Sequence, residues 1–234
     1  DIKDGKTFQE AASALFDFAF DFKDLEIIDL GGGFKVPYSP EDPGVDMQEV
    51  GQLMSQSFLE FSRQYGRELK LWVEPGKFLV SEAGTFLAQA TVVKNDPIKT
   101  FLGINTGLNH LIRPMMYGSY HYIFNASNAN SGSQKAYRVV GNICETDTFS
   151  FDFNGKQDER SLNEVQEGDI IALANAGAYG FTMASHYNSR FLPAEILIEA
   201  EKSKGVLVRQ LQLGVTGRYK GPFINMGLLT KTLK

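Results

Sequence analysis

Cys144 and Glu145 stand side by side in "NICETDTF", and Cys144 is the only cysteine among 234 residues. A thiol can serve as a nucleophile or as an acid. A lone cysteine is nevertheless more often inert packing, and a buried glutamate would need a partner. Strand alternation would send the two side chains to opposite faces, unless the strand ends there and a loop re-aims both. Arg113 and Tyr117 lie four apart in "NHLIRPMMYGSYH", and a guanidinium suits a two-pronged grip on a carboxylate. In Glu74-Pro75-Gly76-Lys77, the carboxylate can hold a protonated ring nitrogen, while the glycine N–H and the lysine can hold a phosphate or carboxylate. A salt-bridged surface turn is the plainer alternative for that tetrapeptide. Gly31-Gly32-Gly33 offers bare N–H groups to an anion or serves merely as a flexible turn. Tyr179 sits in a bend of small residues, "NAGAYG". The three histidines, His110, His121 and His186, show no zinc spacing, so no metal site is assigned.

These residues need elements to place them. Thr7 to Phe22 has apolar residues at helical spacing, with Thr7 able to cap the first turn. "LEIIDLGGGF" reads as a short buried strand running into the glycine loop, Asp46 to Tyr65 as a second helix, and "ELKLWVEPGKFLV" as a strand that breaks at Pro75-Gly76. Strand, helix and strand in this order predict βα units with a parallel sheet. After about Gly84 the segments become short, rich in Val, Ile, Thr and Phe, and separated by turn residues. "TFLAQATVVK", "KTFLGIN", "YRVVGNIC", "TFSFDF", "DIIALANAGAY" and "AEILIEA" predict antiparallel strands, with a turn at Asn154-Gly155. The boundary falls near residues 82 to 90, giving an α/β domain over 1–84 and a β-rich domain over 85–234.

The bulk numbers exclude several roles. Net charge is 23 minus 28, or -5, which argues against a nucleic-acid footprint and against a basic membrane-binding face. No apolar run reaches the ~18 residues of a membrane-spanning helix. One cysteine allows no internal disulfide, so a reducing, cytoplasmic setting is the default.

"DLGGGF", "EPGKFLVSEAG", "GLNHLIRPMMYGSYH", "VVGNICETDTF" and "NAGAYGFTMASHYNSRFLPAEIL" occur here in the order and style of the diaminopimelate decarboxylases. The chain resembles this family, within the alanine racemase-like (fold-type III) pyridoxal-phosphate enzymes, from Asp1 to about Gln210. The resemblance implies a (β/α)8 barrel holding pyridoxal 5'-phosphate, of which this chain carries the second half, followed by a β-rich barrel or sandwich domain. It implies decarboxylation of meso-diaminopimelate to L-lysine by a homodimer whose site is shared across the interface. Gly32, Gly33 and Gly76 resemble the phosphate cradle, and Glu74 the acid that pairs with the pyridinium nitrogen. Lys77 stands where the family commonly has Arg, which keeps the charge but loses the planar fork; it faces cofactor and substrate. Tyr179 resembles the tyrosine that contacts both. Arg113 and Tyr117 resemble the residues that hold the substrate's distal carboxylate. Cys144 and Glu145 match the pair supplied across the dimer: Cys144 delivers the proton that replaces CO2, and Glu145 binds the distal ammonium.

Two departures accompany the match. The family's Schiff-base lysine and its His-x-Gly-Ser motif lie upstream of the region that Asp1 begins, so the chain by itself is expected not to turn over. The stretch after Gln210 does not resemble the family, and after Glu201 it contains no acidic residue. The alternatives are a decarboxylase of the same group for ornithine, arginine or carboxynorspermidine, and a non-catalytic binding relative. Arg113 argues against substrates with no distal carboxylate, because it would then be a buried unpaired cation.

Overall fold

A computed structural model of the chain describes residues 2, 4–199 and 204–209. The divergent tail after Gln210 lies outside the described residues. Chain contacts divide into two units between Glu82 and Ala83.

The first unit is built on one strand–helix–strand crossover. Helix α1, Gly5–Ala19, buries Phe8, Ala12, Phe16 and Ala19, a spacing that keeps one face inward. Asp4 caps it, accepting the Thr7 N–H at 2.7 Å, so the cap is Asp4 and not Thr7. The reason is geometric: an N-cap side chain reaches the N–H two or three residues on, and Thr7 is already inside the first turn. Strand β1, Ile27–Asp29, pairs in parallel with β2, Lys70–Trp72, in the register Ile28↔Leu71. Helix α2, Met47–Tyr65, connects them; Asp46 caps it through the Gln48 and Glu49 N–H groups, and Gly66, left-handed at φ 78°, ends it. Phe16 stacks on Phe61 at 4.6 Å between ring centroids, locking α1 to α2. A short helix α3, Gly76–Val80, follows β2.

The second unit is a nearly closed six-stranded sheet. Strands β3 (Phe86–Asn95), β4 (Thr100–Ile104), β5 (Ile123–Asn125), β6 (Gln134–Val140), β7 (Arg160–Asn163) and β8 (Ile170–Leu173) are ordered β5-β8-β3-β4-β6-β7. Side chains bridge the two outer strands. Asn125 Nδ2 donates to the Glu164 carbonyl at 3.0 Å, and Arg160 Nη2 to the His121 carbonyl at 2.7 Å. The core is Leu102, Ile104, Tyr137, Val139, Phe149, Ile171 and Leu173, all fully buried. A five-residue helix α4, Arg113–Tyr117, leads into β5. A last pair, β9 (Glu195–Glu199) and β10 (Lys204–Arg209), is antiparallel. Among the described residues no helix is long and apolar enough to cross a membrane.

Three expectations change here. The sheet is not wholly antiparallel: β4 pairs with β6 in parallel, Leu102↔Val139. The long stretch between them, carrying α4 and β5, is the crossover that a parallel pair requires. "TFSFDF" is not a strand; it contributes only single bridges, Val140↔Thr148 and Phe151↔Gln157. The strand expected to run to Cys144 stops at Val140. The Asn154-Gly155 turn forms, with Gly155 at φ 75° and the Asp152 carboxylate accepting from the Asn154 and Lys156 N–H groups.

Candidate active site

In the first unit the polar residues gather at the carboxyl ends of β1 and β2. Hydrogen bonding continues beyond the strands: the Leu30 N–H donates to the Trp72 carbonyl at 3.0 Å, and the Glu74 N–H to the Gly31 carbonyl at 2.7 Å. This brings the glycine loop against the Glu74-Pro75-Gly76 turn so closely that a Cβ at Gly32 would lie 2.2 Å from the Glu74 carbonyl oxygen. Gly31 and Gly33 are left-handed, at φ 67° and 92°. The Asp29 carboxylate takes the Gly31 N–H at 2.8 Å. Among the described residues nothing accepts from the N–H groups of Gly32 and Gly33. The Gly76 N–H, by contrast, donates to the Glu74 carbonyl at 2.8 Å, so the two bare N–H groups belong to the glycine loop. Lys77 Nζ lies 3.4 Å from the Tyr38 hydroxyl, and the Glu74 side chain is exposed. A cradle that admits no Cβ, two unengaged N–H groups and a lysine one turn away fit an anion of phosphate size. A free carboxylate beside it fits a protonated ring nitrogen.

The second unit holds two further clusters. In the first, the Arg113 guanidinium lies 5.5 Å from the Tyr117 ring centre and 5.4 Å from that of Tyr179, with Nη2 at 3.4 Å from Ser119 Oγ. Tyr179 adopts a left-handed backbone at φ 59°. That conformation costs a non-glycine residue about 1 kcal/mol or more and is kept only where the surroundings over-determine it. Among the described residues no carboxylate reaches Arg113.

His121 is buried in the same region, donating from Nδ1 to the Ala174 carbonyl at 2.8 Å, while its Nε2 has no partner among the described residues. Burial, helped by the Arg113 and Arg160 guanidinium groups, pushes its pKa down from 6.5 to about 4. The unfolded chain therefore takes up a proton near pH 6.5 that the folded chain refuses until about pH 4. Stability from this group is complete above the unfolded value and is lost as pH falls through that window. The loss amounts to about 3 kcal/mol. His110, also lowered by burial, acts in the same direction, whereas Asp147, raised by burial, acts against it. Urea unfolding at about pH 7 and about pH 4 is expected to show the fall, and His121→Gln to remove most of it; a variant with the wild-type slope would refute the assignment.

The second cluster is a hairpin loop. Its neck is the Val140↔Thr148 bridge, with the Gly141 N–H on the Asp147 carbonyl and the Phe149 N–H on the Val139 carbonyl, both at 3.0 Å. Cys144 and Glu145 occupy its tip, both exposed, so the strand does end before them and the loop re-aims the pair. The Tyr187 hydroxyl donates to Glu145 Oε1 at 2.8 Å, and this raises the Tyr187 pKa. Arg190 Nη2 lies 3.3 Å from the Asn142 carbonyl. No hydrogen bond, ion pair or ring contact among the described residues joins Cys144 or Glu145 to Arg113, Tyr117 or Tyr179. Sequence reasoning missed Tyr187, Arg190 and Asp147. The first two lie in "SHYNSRF" and reach the loop only through folding, whereas Asp147 sits in "CETDTF" itself.

A βαβ unit with an anion cradle, joined to a sheet domain presenting an arginine–tyrosine cluster and a Cys-Glu loop, defines a known class. The family model for the C-terminal sheet domain of pyridoxal-dependent decarboxylases matches residues 26–177. The chain belongs to the pyridoxal-dependent decarboxylase family. Within it, the diaminopimelate decarboxylase of Methanothermobacter thermautotrophicus is 36% identical over 216 residues, covering 89% of this chain and 49% of that protein. The diaminopimelate decarboxylase of Escherichia coli is 36% identical over 193 residues, 80% of this chain and 46% of that protein. Among solved structures, one diaminopimelate decarboxylase superposes with a TM-score of 0.77 at 34% identity, covering 88% of this chain and 50% of its own. Another, from M. jannaschii in complex with L-lysine, gives 0.76 at 27% identity over 90% of this chain and 47% of its own. The chain spans about half the length of the curated relatives it matches.

Proposed function

We propose that this chain is part of a diaminopimelate decarboxylase, which converts meso-diaminopimelate to L-lysine and CO2 with pyridoxal 5'-phosphate as cofactor. The observation that carries the reading is Arg113: a half-buried guanidinium between two tyrosine rings, with no carboxylate in reach among the described residues. Such a cation asks for an anionic group from a ligand, and the far end of diaminopimelate is a zwitterionic amino acid.

In this reading the first unit is half of a (β/α)8 barrel. The N–H groups of Gly32 and Gly33, with Gly76 closing the turn and Lys77 nearby, hold the cofactor phosphate, and Glu74 keeps the ring nitrogen protonated. Tyr179 contacts the cofactor, and with Lys77 it borders the substrate. When bound, the cofactor supplies the electron sink for decarboxylation. Arg113 and Tyr117 fix the distal carboxylate, so that the α-carboxylate at the other end is the one lost. Glu145 receives the distal ammonium. The bond from the α-carbon to its carboxylate breaks, CO2 leaves, and the proton of Cys144 Sγ forms the new C–H bond; solvent returns a proton to the sulfur. Cys144 and Glu145 serve a partner subunit's site in a homodimer, which agrees with their separation from the Arg113 cluster in contact terms.

The test is a chimera joining this chain to the half of the Methanothermobacter relative that it does not match. CO2 release from meso-diaminopimelate is expected to exceed that from L-ornithine by about 10²-fold or more in kcat/KM, the penalty for leaving a polar site unmatched. Faster turnover of ornithine would overturn the substrate assignment.

A further inference from the structure

We infer that Asp147 is the positioning residue of the Cys144–Glu145 loop, setting the thiol and the carboxylate together through the backbone between them. The inference rests on the proposed roles of Cys144 and Glu145 only for its kinetic consequences.

Asp147 is buried at 7% exposure, at the neck of the hairpin that carries the pair. Its Oδ1 accepts the Leu108 N–H at 2.9 Å, and its Oδ2 accepts the Ile143 N–H at 3.2 Å. One carboxylate thus spans two loops, 105–109 and 141–147. Its own carbonyl takes the Gly141 N–H at 3.0 Å, and the Asn142 N–H reaches the Thr106 carbonyl at 2.9 Å. The sequence makes room for it: a Cβ at Gly141 would sit 1.9 Å from Oδ2, and one at Gly107 2.6 Å from it. No side chain other than hydrogen is compatible with the carboxylate at either place.

The clamp acts on the tip through one residue. Ile143, held by its N–H, directly precedes Cys144, and its carbonyl accepts the Glu145 N–H at 2.8 Å. Asp147 therefore sets the start of the turn, and the turn sets both functional side chains at once. Releasing Ile143 should move Cys144 and Glu145 together, while Tyr187 still tethers only the Glu145 end.

Loop placement can be separated from stability. Burial raises the Asp147 pKa against the two backbone donors, so its charge is a cost to the folded state at neutral pH. Asp147→Asn removes that cost, keeps the shape, and turns an NH2 towards one of the two N–H donors. The variant is expected to fold with a small change in Tm.

Because Cys144 is the only thiol, labelling the folded chain with a disulfide reagent reports on this loop alone. D147N is expected to change the labelling rate about threefold or more and to raise amide exchange about tenfold at Ile143 or Leu108, whichever donor the NH2 comes to face, as an opened hydrogen bond should. Wild-type rates of labelling and exchange in a folded D147N chain would overturn the proposal. If D147N does not fold, exchange in the wild-type chain decides: an Ile143 amide as fast as an unprotected loop amide refutes the clamp. In the chimera, D147N is expected to move kcat and KM together, whereas C144A moves kcat and E145Q moves KM. Should C144A and E145Q leave both constants alone, the proposed roles of the pair fail, and labelling and exchange still decide for or against the clamp.

Discussion

Cys144→Ala is expected to lower kcat of the chimeric decarboxylase by about 10²- to 10⁴-fold, the range for removing a positioned general acid. KM for diaminopimelate should stay within about threefold, because the thiol adds nothing to the grip on the distal end. The location supports the size of the effect. Cys144 is at the tip of a loop and exposed, unlike a core residue. Truncating it removes two atoms' worth of chemistry and little packing, so a fall in kcat would not be a folding defect. Cys144→Ser separates acid strength from hydrogen bonding: a hydroxyl keeps a proton but gives it up far less readily, so an intermediate loss is expected. Steady-state CO2 release at saturating diaminopimelate checks both. A C144A enzyme within about threefold of the wild-type kcat would remove the thiol from the mechanism.

Arg113→Ala should lower kcat/KM for diaminopimelate by about 10²- to 10³-fold, or 3–4 kcal/mol, the usual cost of deleting one member of a desolvated charge pair. Most of this is expected in KM. The guanidinium also lies over the Tyr117 and Tyr179 rings, so the variant loses about 1 kcal/mol of ring contact in addition. Arg113→Lys is expected to recover only part of the loss, because an ammonium cannot present two parallel N–H groups to a carboxylate. The diagnostic readout is selectivity. Without Arg113 the advantage of diaminopimelate over ornithine should collapse, since ornithine has no distal carboxylate to lose. Retention of that preference in R113A, measured as a ratio of kcat/KM values, would place carboxylate recognition elsewhere.

Features contained within one short segment were legible from the sequence. The glycine loop after β1, the turn after β2, the second helix, read over Asp46 to Tyr65 and found at Met47–Tyr65, and the four-residue spacing of Arg113 and Tyr117 each depend on neighbours a turn or a few residues away. Ordered motifs then identified the family, although no single one would have done so. The direction of β4 against β6 was not legible, because alternation has the same period in parallel and antiparallel strands. Nor was the failure of "TFSFDF" to form a strand: its apolar pattern is strand-like, but Phe149 and Phe151 are buried while the backbone turns at both ends of the segment.

The sequence by itself determined which chemical groups this protein owns: one thiol with its glutamate, one arginine four residues from a tyrosine, and a loop without side chains between a strand and a helix. Tertiary structure decided what each of them is held by. Tyr187 meets Glu145 across 42 positions, and Asp147 meets Leu108 across 39. Tyr179 reaches Arg113 only from a left-handed bend that its own residue type disfavours. Contacts of this kind form because closing the sheet brings distant loops together at one end, and a one-dimensional pattern of polar and apolar residues carries no record of that distance.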